Sequence, residues 1–167
     1  MGCNESQDED TRWKSVGELE IGGRLSISDT SYFYDEPLVV EVNPGKYMLS
    51  VKYSVESGHT YVAGVRAVKV SSIFARGQNL GSVLIDFGQI GICDRDLVET
   101  YFNLLGDENM SEYFKKLDTI ELVNWVAMEG AAKMLILRPG FGDGAYPVFE
   151  LRELNGTMVG IEVNFSN

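Results

Sequence analysis

Lys46-Tyr47-Met48-Leu49-Ser50-Val51-Lys52-Tyr53-Ser54-Val55 and, beyond Glu56-Ser57-Gly58-His59-Thr60, Tyr61-Val62-Ala63-Gly64-Val65-Arg66-Ala67-Val68-Lys69-Val70 decide the fold class. In the first segment Tyr47, Leu49, Val51, Tyr53 and Val55 share one face, the period of two that a half-buried strand requires. In the second, Val62, Gly64, Arg66 and Val68 take one face, and Tyr61, Ala63, Val65, Ala67 and Lys69 the other. Ser57-Gly58-His59 supplies a turn between them, so the spacing predicts a long antiparallel hairpin. Gly64 inside the second strand marks a bulge or a point of close packing.

Extended segments continue on both sides. Val16 to Ile21 and Leu25 to Ser28 flank a Gly22-Gly23 turn, and Leu38 to Val42 precedes Asn43-Pro44-Gly45. There proline sets φ and glycine admits a positive φ. Asp29 to Pro37 reads as a loop carrying Tyr32, Phe33 and Tyr34, either a binding platform or rings packed beneath the loop. Leu80 to Asp86 and Gln89 to Cys93 are the next extended pieces.

Helix signals follow. Asp94 caps a run in which Leu97, Val98, Tyr101, Phe102 and Leu105 recur at helical spacing. Asn109 with Glu112 resembles a capping box for a short helix through Lys116. Asp118 with Glu121 repeats the device, which predicts a third helix over 119–130 with Ile120, Val123, Trp125, Val126 and Ala127 on its apolar side and Gly130 as its stop. Lys133 to Leu137, Tyr146 to Glu153 and Thr157 to Phe165 are the final strands, the last two joined by an Asn155-Gly156 hairpin signal. The expected architecture is a single α+β domain over 13–167, mostly antiparallel sheet or sandwich, with two or three helices inserted before the last three strands. Residues 1–12 read as a disordered acidic tail.

The chain has 167 residues, 44% of them hydrophobic, enough for one domain with a substantial core. It holds 25 acids against 14 bases, a net charge of −11, with nine of the acids and three of the bases in residues 1–36. Such a surface repels phosphate backbones, which argues against nucleic acid, and attracts a basic protein. No apolar run approaches the roughly 20 residues that span a bilayer, so a soluble protein of the cytoplasm is expected. Met1-Gly2-Cys3-Asn4-Glu5-Ser6 formally fits a myristoylation pattern with Cys3 as a second acylation site. The acids of Gln7-Asp8-Glu9-Asp10 oppose contact with an anionic membrane, and a lipid anchor through Cys3 stands as the alternative.

Two cysteines, Cys3 and Cys93, make no disulfide framework, and Cys93 reads as a small buried residue. With His59 as the one histidine, neither a Cys-His catalytic pair nor a Cys/His zinc site is supported. No catalytic residue, metal or cofactor is assigned. The candidate ligand-binding residues are Asp86, Asp94, Asp143 and Tyr146. Asp86, Asp94 and Asp96 stand within eleven residues and either converge on a ligand or shape the backbone, Asp94 as a helix cap and Asp86 as a turn closer. Gly140-Phe141-Gly142-Asp143-Gly144 is rich enough in glycine to form an anion nest. It leads into a strand without the Lys-Ser/Thr of a phosphate loop, which favours left-handed glycine and a turn held by Asp143.

At Asp86-Phe87-Gly88 with Cys93 and Asp94, and at Gly142-Asp143-Gly144-Ala145-Tyr146-Pro147-Val148, the chain resembles the bacterial family called domain of unknown function 4241. The Gly45-Lys46-Tyr47 strand start, the Val62 to Val70 strand and Asn164-Phe165 after the last hairpin fit the same pattern, while Phe141 stands where that family often carries tryptophan. The resemblance spans roughly 38–165. It implies a bacterial source and brings no activity, so no residue role follows from it. The functional expectation is a non-enzymatic, immunity-type module that binds a basic, toxin-like protein through an acidic surface. The alternative is a small ligand-binding protein or enzyme built on the aspartates.

Overall fold

The computed structural model describes residues 13–33, 37–70, 72–140 and 142–166. The tail expected over 1–12 lies outside them. The hairpin that decides the fold class is present: β4 (Gly45–Glu56) pairs with β5 (His59–Lys69), with Glu56 opposite His59. Ser57 and Gly58 form its two-residue loop at φ 51° and 79°, and two left-handed residues match the twist of the flanking strands.

Around this hairpin stands a six-stranded sheet in the order β1-β4-β5-β11-β10-β6. Its other members are β1 (Trp13–Ile21), β6 (Ala75–Ile85), β10 (Gly144–Arg152) and β11 (Met158–Asn164). A five-stranded sheet contains β2 (Arg24–Asp29), β3 (Leu38–Glu41), β7 (Ile90–Asp94), β8 (Val123–Ala127) and β9 (Lys133–Leu137), in the order β3-β2-β7-β9-β8. Every pairing between these strands is antiparallel.

The two sheets enclose the main core. Tyr47, Leu49 and Val51 of the first sheet are fully buried in one cluster with Leu25, Ile27, Ile90, Ile92, Leu135 and Leu137 of the second. Burial of each aliphatic side chain contributes roughly 1.5–3 kcal/mol. The β4–β5 register slips between Lys52 and Tyr53, beside Gly64. The bulge reverses the alternation there, so Val62 joins Val65 and Ala67 in the core and does not share a face with Arg66. Val55 lies past the end of the core and is exposed.

A helical layer covers the far face of the smaller sheet. Helices α1 (Arg95–Leu105) and α2 (Met110–Lys116) follow β7. Val98, Tyr101, Phe102, Tyr113 and Leu117 form a second cluster with Phe33, Cys93, Val126, Met134 and Ile136. Gly91 permits this closeness, because a Cβ there would stand 2.7 Å from Met134 Sδ and 2.8 Å from the Phe33 ring. No helix among the described residues is long and apolar enough to cross a membrane.

The α+β class and the mostly antiparallel sandwich follow the sequence expectation. The third helix over 119–130 does not form. β8 occupies 123–127 at the edge of the smaller sheet, so four strands follow the helices instead of three. The segment Val123-Asn124-Trp125-Val126 is β-branched and aromatic, which favours a pleated surface. It buries both faces: Val126 reaches the helical cluster, while Trp125 packs on the main core and donates its indole N–H to Val16 O at 2.9 Å. Ile120, offered to the helix as an apolar anchor, is 98% exposed. The capping box at Asn109 is also different in form. Its amide donates to Leu105 O at 2.9 Å, closing the end of α1 instead of opening α2.

Candidate functional site

One end of the sandwich is organised by a carboxylate that the sequence pattern did not single out. Asp29, at the end of β2, is fully buried. Its Oδ1 accepts from Ser31 N at 2.8 Å, and its Oδ2 accepts from Asp86 N at 2.7 Å and Phe87 N at 2.8 Å. Three amide donors replace the water that a buried carboxylate loses. A second set of bonds ties this corner to the helical layer. Thr30 Oγ1 donates to Gln89 Oε1 at 2.7 Å, Gln89 Nε2 donates to Leu117 O at 3.1 Å, and Tyr113 OH donates to Thr30 O at 2.6 Å. Burial pushes the Tyr113 phenol far above its ordinary range, so it stays a neutral donor.

This rigid corner presents aromatic side chains. Phe87 is 63% exposed, with the Tyr32 ring centroid 5.9 Å from its own. A cleft of about 630 Å³ lies on one side, lined by Phe87, Gln89, Phe114, Lys115, Asp118 and Arg138 among others. One of about 470 Å³ lies on the other, between Tyr32, Pro37, Leu38, Ser82, Leu84 and Asp86. The turn between β6 and β7 is therefore a wedge with a hollow on each flank.

The candidate residues distribute as follows. Asp86 and Asp143 each stand one step beyond the Ile85–Gly144 pair that ends the β6–β10 ladder, and both are exposed. The carboxylate that closes the Asp86 turn is Asp29; Asp86 contributes its backbone N–H. Likewise, the turn before β10 is closed by Tyr146 OH, which donates to Gly142 O at 2.7 Å, with Gly142 at φ 68°. Tyr146 is buried edge-on against Phe165, and burial with the nearby Asp143 charge raises its pKa. Asp94 stands at the opposite end of β7, four residues from Ile90 and so about 13 Å along the strand. It caps α1 through Leu97 N at 2.9 Å and anchors Gly22 N at 2.7 Å. Among the described residues no group of three His, Cys, Asp or Glu side chains is arranged to hold a metal ion.

No family model matches this chain, and no curated protein or solved structure matches it.

Two further carboxylates of the larger sheet are held by arginines, Glu150 opposite the core residue Ile161 and Glu162 opposite Phe149 on the outer face. Glu150 accepts from Arg152 Nε at 2.7 Å and Nη2 at 2.9 Å, and from Gln78 N at 2.9 Å. The Arg152 guanidinium, then the Gln78 amide, hold its pKa below the usual glutamate range. Glu162 is gripped by Arg66 and Arg76. In the sequence Glu162 sits between Ile161 and Val163 and reads as an outward strand position; its arginine partners are distant and become visible only with the register. Asp29 left a fainter trace, as an acid ending an alternating strand immediately before Thr30-Ser31.

Proposed function

We propose that this protein is a non-enzymatic, immunity-type binding module that holds a basic, toxin-like protein against its helical layer. One observation carries the proposal: the charge is unevenly shared. Residues 94–130 contain nine acids and three bases, a net of −6, equal to that of residues 1–36, whereas 37–93 and 131–167 together contain seven acids and eight bases, a net of +1. Asp96, Asp107, Glu108, Glu112, Asp118, Glu121 and Glu129 are all exposed. A concentrated field of one sign accelerates encounter with an oppositely charged partner. The nearby Phe87, Tyr32 and Phe114, all exposed, supply apolar anchors of the kind that dominate interface energies. A bacterial source, a cytoplasmic location and kinship with domain of unknown function 4241 belong to the same proposal.

Calorimetry and stopped-flow mixing with the product of a toxin-like gene beside this one test it. The expected result is a complex whose association rate falls with added salt. A paired Glu108→Lys and Glu112→Lys change should slow association about tenfold at low salt, while Glu56→Lys at the hairpin tip should not. Absence of any complex with basic products of neighbouring genes would sink the proposal. Asp86, which lines a cleft, and Asp143 flank the same end of the β6–β10 ladder and support a second reading, a small-ligand site at that end, to which Asp94 is too distant to belong.

A further inference from the structure

The outer face of the six-stranded sheet carries charge of the opposite sign. Ser50, Arg66, Glu162 and Phe149 lie in one row across β4, β5, β11 and β10. Glu162, nearly buried, accepts from Arg66 Nε at 2.7 Å and pairs with Arg76. Lys52 completes the group. One carboxylate among three cations leaves a local charge of +2, and among the described residues Lys52 has no carboxylate partner.

Aromatic faces fix the cations in place. The Arg66 guanidinium lies 3.9 Å from the Trp13 ring centroid and 5.3 Å from that of Phe74, Arg76 lies 4.4 Å from Phe149, and Lys52 lies 5.9 Å from Trp13. A stacked guanidinium keeps its in-plane donors directed outward at a fixed angle. Gly64 makes the arrangement possible, since a Cβ there would stand 3.2 Å from the Trp13 ring.

Trp13 divides two hollows of different character. On one side a cleft of about 270 Å³ is lined by Lys52, Gly64, Arg76, Glu162, Asn164 and Ser166. On the other, a hollow of about 300 Å³ is lined chiefly by Met48, Val68, Val70 and Phe74, with Arg66 at its margin. The polar cleft suits one carboxylate, and the apolar hollow suits a side chain a few ångströms away along the same segment.

We propose that this face binds an extended acidic peptide segment of a partner protein, seating a carboxylate beside Lys52 and Arg76 and an adjacent apolar side chain against Met48, Val68 and Phe74. A peptide carboxylate suits the site better than a polyphosphate, because a single charge meets the local +2 while a phosphate chain also meets the repulsion of a −11 protein. The surface is separate from the helical layer and opposite to it in sign.

Fluorescence anisotropy on the full chain tests this, using a labelled peptide of alternating glutamate and leucine, its glutamine-for-glutamate counterpart and a labelled oligothymidylate. The glutamate peptide should bind at least tenfold more tightly than either other probe. Lys52→Glu and Trp13→Ala should each weaken it at least tenfold, with unchanged circular dichroism. Lys133→Glu, which makes the same charge change at a distant cation stacked on Trp125, should leave it unaltered. Equal binding of the glutamine peptide, tighter binding of the oligonucleotide, or an equal loss in Lys133→Glu would overturn the proposal. So would salt-sensitive self-association abolished by Lys52→Glu, which would identify a second copy as the occupant.

Discussion

Replacing Asp29 with asparagine changes one atom at a fully buried carboxylate, and its cost follows from the geometry. Asp29 accepts three backbone N–H groups through two oxygens. Asparagine retains one acceptor oxygen. If that oxygen stays with the Asp86 and Phe87 amides, the new NH₂ opposes Ser31 N; in the other orientation it opposes two amides. At least one donor is orphaned, and the remaining bonds lose their charge assistance. Bonds to a charged group contribute about 1.5–3 kcal/mol each and neutral ones about 1. Losing one charged bond and weakening two gives a loss of about 3 kcal/mol. For a chain of this length that lowers Tm by roughly 6–12 °C. Urea titration followed by far-UV circular dichroism, with Tm from calorimetry, measures both. The Phe87 turn should also gain hydrogen-exchange rate ahead of the sheets, because its amides lose their acceptor first. A loss below about 1 kcal/mol with unchanged exchange at Asp86 and Phe87 would refute the claim that this carboxylate organises the corner.

Two glycines should separate steric from conformational cost. A Cβ at Gly160 would lie 2.1 Å from Ala67 O, so Gly160→Ala should cost about 3 kcal/mol by forcing β5 and β11 apart. Gly142 has open space but φ 68°, so Gly142→Ala should cost only about 1 kcal/mol, both read from urea midpoints. Because the folded pKa of Glu150 is lowered, its contribution is complete above the ordinary glutamate pKa of about 4.3 and disappears as pH falls through the folded value. The stability gap between the wild type and Arg152→Gln should therefore be present near pH 6 and shrink progressively below about pH 4, as pH-resolved urea titrations would reveal. Burial raises the Cys93 thiol well above its usual pKa, so mass spectrometry should find Cys93 unalkylated by iodoacetamide in native protein and fully alkylated in urea.

The legible parts of this chain were those where local chemistry and tertiary structure agree. Tyr47, Leu49 and Val51 alternate because a second sheet covers them, and Ser57-Gly58 turns because both residues are left-handed. Asp94 read correctly as a cap because capping is a three-residue event. The failures share a cause. Val123 to Ala127 presents apolar side chains to two different layers, which removes the alternation and imitates a helical face. The first half of β6, Arg76-Gly77-Gln78-Asn79, is polar because it is an exposed edge, and it carried no strand signal before Leu80. Asp86 drew attention through its spacing, yet the carboxylate that organises its turn is 57 residues away. Glu162 and its arginines meet through a register that only the folded sheet reveals.

The central pairing of the larger sheet also dictates an order of assembly. Gly64 of β5 pairs with Asn164 of β11, a hundred positions later in the chain. While a ribosome makes this protein, the β1, β4 and β5 ribbon is complete long before its neighbour emerges, and β5 waits with a row of unpaired amides and carbonyls. Closure over so long a loop is slow, and an open strand border recruits other chains. Nascent-chain yield should therefore depend on how well that border is shielded during elongation, by a chaperone or by slow translation of the segments that precede β11.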